Sequence, residues 1–321
     1  MLIEDSFVDA VLIEPLRQGA DHLHIVSGYA TSNMTSWLMK KYEDEKRKAS
    51  LSLIIGMTIR NGLPEAEHKS FVELLQVQKQ LDYVEALHCS YVYQGLPIHS
   101  KVYVWTKNEK PFLAFTGSAN FTQPAFFQKQ REILTEADPE QSWQYYLNAE
   151  KDSVSCNYNE IEQYIRFTCQ EEPSSAGKTA DLKEEQKLTL SLLTAKGRVG
   201  ERSGLNWGQR RGRNPNEAYI PLPRKQAQSG FFPLDKQHFT VETDDGHTLI
   251  LRVEQANNKA ITTPLSNALL GEYFRNRLDL ANGAFVRLED LQRYGRTSVT
   301  FAKIDDEFYY MDFSSNKTPN L

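Results

Sequence analysis

The N-terminal half of the chain alternates amphipathic segments with short apolar runs. Apolar residues recur three or four positions apart in three segments, which predicts the helices Phe7–Leu16, Thr35–Lys48 and Phe71–Leu81. Apolar, β-rich runs predict four strands, at His22–Ser27, Leu51–Gly56, Ile98–Thr106 and Phe112–Thr116. Because helices and strands alternate along the chain, this half is expected to form an α/β sandwich.

The C-terminal half has a different pattern, in which short runs follow one another with close turns. Six strands are predicted, at Tyr219–Leu222, Phe239–Glu242, His247–Gln255, Gly283–Arg287, Ser298–Ile304 and Glu307–Phe313. One helix, Asn267–Leu278, lies among them. Many short strands with close turns favour a mainly β fold, a small barrel or pseudobarrel.

A polar segment separates the two patterns. Residues 171–187 contain no aromatic side chain and are rich in Glu, Lys and Ser, which is typical of a domain boundary. We therefore predict a first domain at 1–175, a linker at 176–187 and a second domain at 188–321. Part of this region is also compatible with a helix, because Leu182–Leu193 has helical spacing. A length of 321 residues with 40% hydrophobic residues is sufficient for two cores.

The sequence indicates neither a membrane segment nor a metal centre. The apolar runs are far shorter than the roughly 20 residues that span a bilayer, and the start MLIEDSF lacks a basic signal region. Cys89, Cys156 and Cys169 form no CxxC or zinc pattern. His22 and His24 would share a strand face as metal ligands do, but no Cys, Asp or Glu is placed to complete a site. We expect a cytoplasmic protein with reduced thiols and no metal or cofactor.

The charge is divided unequally between the two halves. The whole chain has a net charge of −5, which taken alone argues against a nucleic-acid partner. Residues 1–187 hold 19 basic and 27 acidic residues, a net of −8, whereas residues 188–321 hold 18 and 15, a net of +3. Between Lys196 and Lys225 there are eight basic and two acidic residues. A basic stretch that also carries Gly, Asn and Trp is typical of an arm that contacts nucleic acid.

Five polar residues in the first half indicate chemistry at a phosphodiester. His99 and Lys101 are two positions apart on a predicted strand and would project from the same face. The next strand leads into Gly-Ser-Ala-Asn-Phe, which contains Ser118 and Asn120, and Glu132 follows. Neutral imidazole can attack phosphorus, and lysine and asparagine can hold the charged oxygens. A carboxylate can orient the imidazole through its other nitrogen.

This arrangement resembles the phospholipase D superfamily, whose motif is HxK followed by GSxN and an acidic residue. The resemblance matches His99 to the nucleophile and Lys101 to the phosphate-binding lysine. It matches Ser118 and Asn120 to the polar pair, and Glu132 to the late acid. It implies a covalent phosphohistidine intermediate, formed without a metal or another cofactor.

Two features of the resemblance have further consequences. The Asp that many lipid-cleaving members carry shortly after the lysine is not evident, because Trp105–Lys107 occupies that stretch. Superfamily enzymes use two facing HxK units, and this chain has one, which implies a homodimer with a composite site.

Three other residues are candidates for the site. Glu136 is the alternative to Glu132 as the late acid, and Gly28 and Tyr29, after the first strand, are expected to line the site.

The second half narrows the resemblance. The segment Ser203–Pro221 contains Trp-Gly-Gln-Arg and Asn-Glu-Ala-Tyr-Ile-Pro, and with the HxK half it resembles the NgoFVII-type restriction endonucleases. The resemblance covers nearly the whole chain. It implies an α/β phospholipase D-like nuclease domain followed by a mainly β pseudobarrel of the plant B-three type that binds DNA. The implied function is sequence-specific type II cleavage of double-stranded DNA.

In such pseudobarrels two arms grip the major groove of DNA. The first arm would be Asn206–Glu217, in which arginine suits guanine, asparagine suits adenine and glutamate suits cytosine, although phosphate contact is the commoner role for one arginine. The second arm has two candidates, Thr262–Asn267 and Arg293–Ser298. Trp207 is expected to anchor the base of the first arm. The predicted DNA-binding residues are Trp207, Gln209, Arg210, Arg211, Arg213, Asn214, Asn216, Glu217, Asn267, Arg293, Arg296 and Thr297.

Two other functions remain open. A lipid hydrolase of the same superfamily would need a lipid-facing apolar surface and usually two motifs in one chain, and neither is seen. A non-catalytic DNA-binding subunit would need a broken site, yet all five motif positions are present. Cleavage could also depend on an ATPase or helicase-like partner. Because this chain carries no GxxxxGK[ST] loop, any such ATPase would be a separate subunit.

Overall fold

The computed structural model of the chain describes residues 1–168 and 186–315. The chain divides into two units, Met1–Gln170 and Glu171–Leu321. Most of the predicted linker lies outside the described residues, as does Cys169. Within the described ranges, no helix is long and apolar enough to cross a membrane.

The first unit is built on a mixed sheet of eight strands. The strands are β1 (Leu2–Ile3), β2 (His22–Ser27), β3 (Ala49–Ile55), β5 (Val84–Val92), β6 (Lys101–Lys107), β7 (Lys110–Gly117), β8 (Leu134–Ala137) and β9 (Ser153–Ser155); β4 (Leu63–Pro64) and β10 (Phe167–Thr168) form a separate pair. The order in the sheet is β1-β8-β7-β6-β2-β3-β5-β9. β2, β3 and β5 are parallel neighbours, and β6, β7 and β8 are antiparallel. The ends of β2 and β7 and the start of β6 lie together, because Ser27 pairs with Lys101 and Val102 with Thr116.

Helices pack against this sheet. They are α1 (Glu14–Arg17, preceded by a π-helical turn at Val8–Ile13), α2 (Ser32–Asp44), α3 (Thr58–Asn61), α4 (Glu65–Val77), α5 (Gln123–Phe126) and α6 (Pro139–Lys151). Two of them start at side-chain caps: Thr31 accepts from the third residue of α2, and Asp138 does the same for α6. α6 packs on the sheet face that carries Val26 and Val104. The layered arrangement confirms the α/β prediction for this half.

The second unit is a mainly β fold around one aromatic-rich core. Its strands are β11 (Lys187–Ser191), β12 (Ile220–Pro221), β13 (His238–Thr243), β14 (Thr248–Glu254), β15 (Ala260–Thr262), β16 (Ser298–Lys303) and β17 (Phe308–Asp312); its helices are α7 (Arg224–Ala227), α8 (Asn267–Arg277) and α9 (Leu288–Tyr294). The order is β11-β16-β17-β13-β14-β15-β12. The two edge strands, β11 and β12, contact one another, so the sheet nearly closes into a barrel. This confirms the predicted pseudobarrel.

The prediction of a strand at Gly283–Arg287 is wrong. This segment is an irregular loop before α9, because side chains and not another strand take its backbone groups. Asn206 Nδ2 donates to Val286 O over 2.8 Å, and Val286 N donates to Asn206 Oδ1 over 2.9 Å. The segment is buried in part, as a strand would be, but it pairs with no other strand of the described chain.

The helix that the spacing of Leu182–Leu193 allows is also wrong for the residues that the structure describes. Residues 187–191 form β11, which pairs antiparallel with β16, and residues 182–185 lie outside the described part of the chain. Leu188 and Leu190 alternate with polar residues and face the barrel core, a two-residue period that competes with the helical one. The segment forms a strand and not a helix because pairing with β16 places Leu190 in the barrel core.

Candidate active site and recognition loop

His99 and Lys101 lie side by side at the start of β6. Lys101 is the first residue of the strand and is 5% exposed, whereas His99 is exposed and lies just before it. Lys101 Nζ donates to the His99 carbonyl over 2.6 Å and lies 3.0 Å from His99 Nδ1. The predicted pair is therefore in direct contact, although the strand begins three residues later than the expected Ile98.

Two glycines allow the loop before β6 to approach the sheet closely. Ile98 N donates to Gly56 O over 3.0 Å, and a Cβ on Gly56 would lie 2.2 Å from Ile98 O. A Cβ on Gly28 would lie 3.2 Å from His99 Cα and 3.5 Å from Asn120 Oδ1. Glycine is thus required at position 56. The narrow space at position 28 shows that the His99 backbone and the Asn120 amide meet there.

Ser118 and Glu132 form a second contact pair where β7 ends. Ser118 Oγ donates to Glu132 Oε2 and accepts from Ile133 N over 3.0 Å. Gln130 Nε2 donates to the other Glu132 oxygen over 2.6 Å. Both carboxylate oxygens are therefore held by neighbouring side chains. The carboxylate orients Ser118, whereas the sequence led us to expect it at the imidazole ring of His99.

Asn120 is held by the turn that follows β2. Its Oδ1 accepts from Tyr29 N over 3.1 Å and from Ser27 Oγ over 3.5 Å. Ser27 Oγ in turn accepts from Phe121 N over 3.0 Å, which ties the β7–α5 connection to β2. Because Oδ1 is engaged by the protein, Nδ2 is the part of the Asn120 amide left to donate to a bound oxygen.

Electrostatics connect the two contact pairs. Burial lowers the pKa of Lys101, and the negative charge of Glu132 partly restores it. The two groups therefore lie close enough to interact, and Lys101 is the cation of the site. Glu136, the alternative late acid, is exposed in β8, where its carboxylate lies 3.9 Å from the amino group of Met1. The structure thus places Glu132 and not Glu136 against the serine.

Two supporting residues were missed from the sequence. Asn61 Nδ2 donates to Tyr29 Oη over 2.6 Å, and the Tyr29 ring meets the His99 ring edge-on, with centroids 5.9 Å apart. Gln130 is the partner of Glu132 described above. Tyr29 was expected near the site. No sequence signal marks Asn61, which lies on α3 and contacts Tyr29 only in the folded chain.

His22 and His24 form a packed pair and not a ligand set. Their rings stack with centroids 3.7 Å apart, and His22 Nε2 lies 2.8 Å from Ser52 Oγ. Trp143 of α6 meets the His24 ring edge-on at 4.6 Å. Burial, together with the positive charges of neighbouring histidines, lowers the pKa of His22 to about 4 and that of His24 to about 3. Among the described residues, no group of three or more His, Cys, Asp or Glu is arranged to hold a metal ion.

In the second unit, the predicted first arm is a folded loop with an exposed tip. We call residues 204–217 the recognition loop. At its tip, Arg210, Arg211, Arg213 and Asn214 are exposed. The Arg213 guanidinium lies 4.0 Å from the Trp207 ring centroid and pairs with Glu217. Trp207 therefore supports an arginine of the tip, whereas the sequence led us to expect it to anchor the base of the arm.

Other predicted reading residues hold this loop in place. Asn216 is buried, its Nδ2 donates to Glu272 Oε1 over 3.0 Å, and its Oδ1 accepts from Gly283 N. Gln209 Nε2 donates to Pro215 O over 3.2 Å and to Gly283 O over 3.1 Å. Both amides are hydrogen-bonded to other groups of the protein, so the structure favours a positioning role for them over direct base contact.

The candidates for the second arm differ in exposure. Arg296 is mostly buried and forms an ion pair with Asp312 over 2.7 Å. Arg293 is exposed and pairs with Asp290 over 3.0 Å. Asn267 begins α8, and its Oδ1 is buried without a hydrogen-bond partner in the described chain. The backbone carbonyl of Thr297 accepts from Leu192 N over 2.9 Å. Arg293 is thus the more accessible of the two arginines.

Comparisons with known proteins match both units. Residues 5–163 match the NgoFVII restriction endonuclease N-terminal PLD domain, and residues 180–305 match the NgoFVII C-terminal B3-like DNA-binding domain. A search of curated proteins gives no match.

Three solved structures share similarity with part of the chain. NucT from Helicobacter pylori is 15% identical, with 48% of this chain and 97% of that one covered and a TM-score of 0.32. Nuc from Salmonella typhimurium, a phospholipase D family member, is 11% identical, with coverages of 45% and 87% and a TM-score of 0.33. Polyphosphate kinase from Porphyromonas gingivalis is 10% identical, with coverages of 51% and 26% and a TM-score of 0.30. The two domain matches, which follow one another over most of the sequence, confirm the inferred resemblance: this chain belongs to the NgoFVII restriction endonuclease family, and it is a DNA endonuclease with a PLD nuclease domain and a B3-like DNA-binding domain.

Proposed function

We propose that this endonuclease is a type II enzyme that cuts double-stranded DNA at a specific sequence, without a metal ion, through a covalent phosphohistidine at His99. The observation that carries the proposal is the contact between His99 and Lys101, with the Asn120 amide next to His99 at Gly28. A nucleophile, a cation and a neutral donor thus share one edge of the sheet. This is the set of groups that phosphoryl transfer requires when protein side chains supply the positive charge.

The first chemical step is attack by His99 Nε2 on phosphorus. The N–P bond forms, the bond to the leaving deoxyribose oxygen breaks, and that oxygen takes a proton from His99 of the partner subunit. Water then attacks phosphorus and gives a proton to the partner ring, and the N–P bond breaks, so that both rings return to their starting states. Lys101 and Asn120 Nδ2 hold the non-bridging oxygens, whose charge is greatest in the transition state.

The free protein is one proton shift away from this reactive state. The Lys101 ammonium can only donate, so at the observed contact His99 Nδ1 accepts, and a neutral ring carries its proton on Nε2. A bound phosphate is a better partner for the ammonium than imidazole is. Binding of DNA therefore draws Lys101 to the phosphate and frees Nδ1 to take the proton, which leaves Nε2 as the nucleophile.

The proposed assembly is a homodimer with one composite active site. Of the seven histidines, only His99 is followed by lysine two residues later, so a second catalytic histidine has to come from another copy of the chain. Light scattering should give the mass of a dimer for the active species. An active monomer would refute the composite site. We place the protein in the cytoplasm, because its three cysteines form no disulfide or zinc pattern. The proposal includes no separate ATPase subunit.

The decisive experiment is digestion of a phage genome with and without EDTA, followed by sequencing of the fragment ends. Uniform ends in both reactions are expected. Strict dependence on magnesium would refute the metal-free mechanism, and ends without a common sequence would refute specificity. Release of a headgroup from phospholipid vesicles, with no cleavage of DNA, would favour the lipid hydrolase.

A further inference from the structure

Arg275 lies at the centre of the contact between α8 and the recognition loop. Its side chain is fully buried, and its guanidinium donates to carbonyl oxygens only. Nε donates to Ala284 O over 2.8 Å, and Nη1 donates to Gly271 O over 3.1 Å. Nη2 donates to Pro215 O over 3.1 Å and to Leu205 O over 3.3 Å.

These acceptors belong to chain segments that are far apart in sequence. Leu205 lies at the start of the recognition loop, Pro215 at its end, and Ala284 in the connection between α8 and α9. One planar guanidinium therefore fixes both ends of the loop to α8 and to the neighbouring connection. Burying a guanidinium is costly, and here backbone carbonyls offset the cost without a hydrogen-bonded carboxylate.

The surrounding contacts hold the loop in the same place. A Cβ on Gly271 would lie 1.6 Å from Asn216 O, so only glycine lets the loop approach α8 this closely. Asn216 Nδ2 donates to Glu272 Oε1 over 3.0 Å. At the other end of the loop, Asn206 bonds both backbone groups of Val286. The base of the loop is thus fixed at both ends.

The tip of the loop is exposed, although Arg210 Nε donates to Arg202 O over 2.8 Å and Arg213 pairs with Glu217. Arg210, Arg211 and Arg213 are exposed, and the Arg211 side chain forms no hydrogen bond or ion pair with the described residues. Bidentate contacts to base edges require the tip side chains that make them to start from a fixed backbone position, to within about 0.5 Å. A buried clamp at the base can supply that precision without contacting DNA.

We infer that Arg275 is a positioning residue for sequence recognition: it holds the base of the recognition loop so that the tip meets base edges in one register. The inference rests on the proposed sequence-specific function. Loss of the clamp should leave phosphate contacts largely intact, because they tolerate small shifts of the loop, and should weaken discrimination between bases.

The test compares Arg275→Lys with Arg277→Lys. Arg277 is a matched control, since it lies on the same helix and is largely buried, but it binds Asp244 over 2.6 Å and Phe313 O over 3.1 Å instead of the recognition loop. Affinity is measured for the duplex found by genome digestion and for duplexes with one base pair changed. We expect Arg275→Lys to lower the ratio of these affinities about tenfold or more, with unrelated DNA bound as before. Arg277→Lys should retain the ratio at a comparable loss of melting temperature.

A milder pair of variants covers the case in which Arg275→Lys does not fold. Glu272→Ala removes the acceptor of Asn216 Nδ2 at the helix surface, whereas Glu272→Gln keeps one. The alanine variant should lose part of the discrimination, and the glutamine variant should keep it. Equal discrimination in folded Arg275→Lys and in wild type, or in both Glu272 variants, would overturn the inference. A wild-type protein that shows no sequence preference would instead overturn the proposed specificity.

Discussion

Asn120 and Asn216 show how differently the two units use the same side chain. In the PLD domain, Asn120 has its amide oxygen bound by the turn after β2, which leaves Nδ2 available at an exposed edge. In the B3-like domain, Asn216 is buried, and both ends of its amide bond the protein. The same side chain thus keeps a hydrogen-bond donor available in one unit and holds the chain in place in the other.

The two units also differ in what places their functional groups. In the PLD domain, neighbouring strand ends and two glycine contacts bring His99 and Asn120 together. In the B3-like domain, a loop without regular strands carries the cations, and buried side chains fix its base. The PLD half has a net charge of −8 and the other half +3, so DNA affinity is expected to come mainly from the second. The comparison predicts that substitutions separate cutting from binding.

The largest effect is expected for His99→Ala. Removal of the nucleophile should lower the cleavage rate by at least about 10⁴-fold, while specific DNA binding stays unchanged. Cleavage of a labelled duplex and gel-shift affinity measure the two properties separately. His88→Ala, at another exposed histidine of the same unit, is the control and should cut normally. Persistent cutting by His99→Ala would remove the assignment.

Lys101→Met should have the next largest effect, about 10²- to 10³-fold on the cleavage rate, because it removes the cation that holds the developing charge. Burial lowers the pKa of Lys101. The wild-type rate should therefore fall at an alkaline pH below the ordinary range of lysine, as the ammonium is lost. A pH–rate profile tests this, and the same alkaline limb in the methionine variant would contradict it.

Acid should destabilise the PLD domain through His22 and His24. Their pKa values are lowered from 6.5 to about 4 and about 3, so the unfolded chain binds more protons than the native one. This stability is fully present above pH 6.5 and is lost as the pH falls toward 4 for His22 and toward 3 for His24, at up to about 1.4 kcal/mol per pH unit for each histidine. Urea unfolding at several pH values measures the slope. His22→Gln with His24→Gln should flatten it, whereas His247→Gln, at an exposed histidine of the other unit, should not.

The smallest effect is expected for Arg211→Ala at the tip of the recognition loop. We expect a loss of about 1 kcal/mol in DNA affinity, equal across sequences, and a salt dependence shallower by about 0.9, as for one phosphate contact. Arg213→Ala is the matched variant, and its salt slope should change less because Arg213 pairs with Glu217. A loss confined to one base position of the site would identify Arg211 as a base reader instead.

Local patterns along the chain predicted most of the regular structure. The run His22–Ser27 forms β2 with those bounds, and the helix predicted at Asn267–Leu278 is α8 within one residue. Such segments are set by short-range periodicity, which the sequence displays directly. The prediction failed at Gly283–Arg287, where long-range bonds from Asn206 and Asn216 replace a strand partner. No local pattern carries that information.

The same division applies to function. By itself, the sequence determined the family, the two fold classes and the candidate chemistry, because HxK, GSxN and the basic segment are contiguous motifs. Only the tertiary structure decided that Glu132 holds Ser118, that Asn61 reaches Tyr29, and that Arg275 fixes the recognition loop. These contacts join residues from distant segments of one unit, and their geometry arises only when that unit folds.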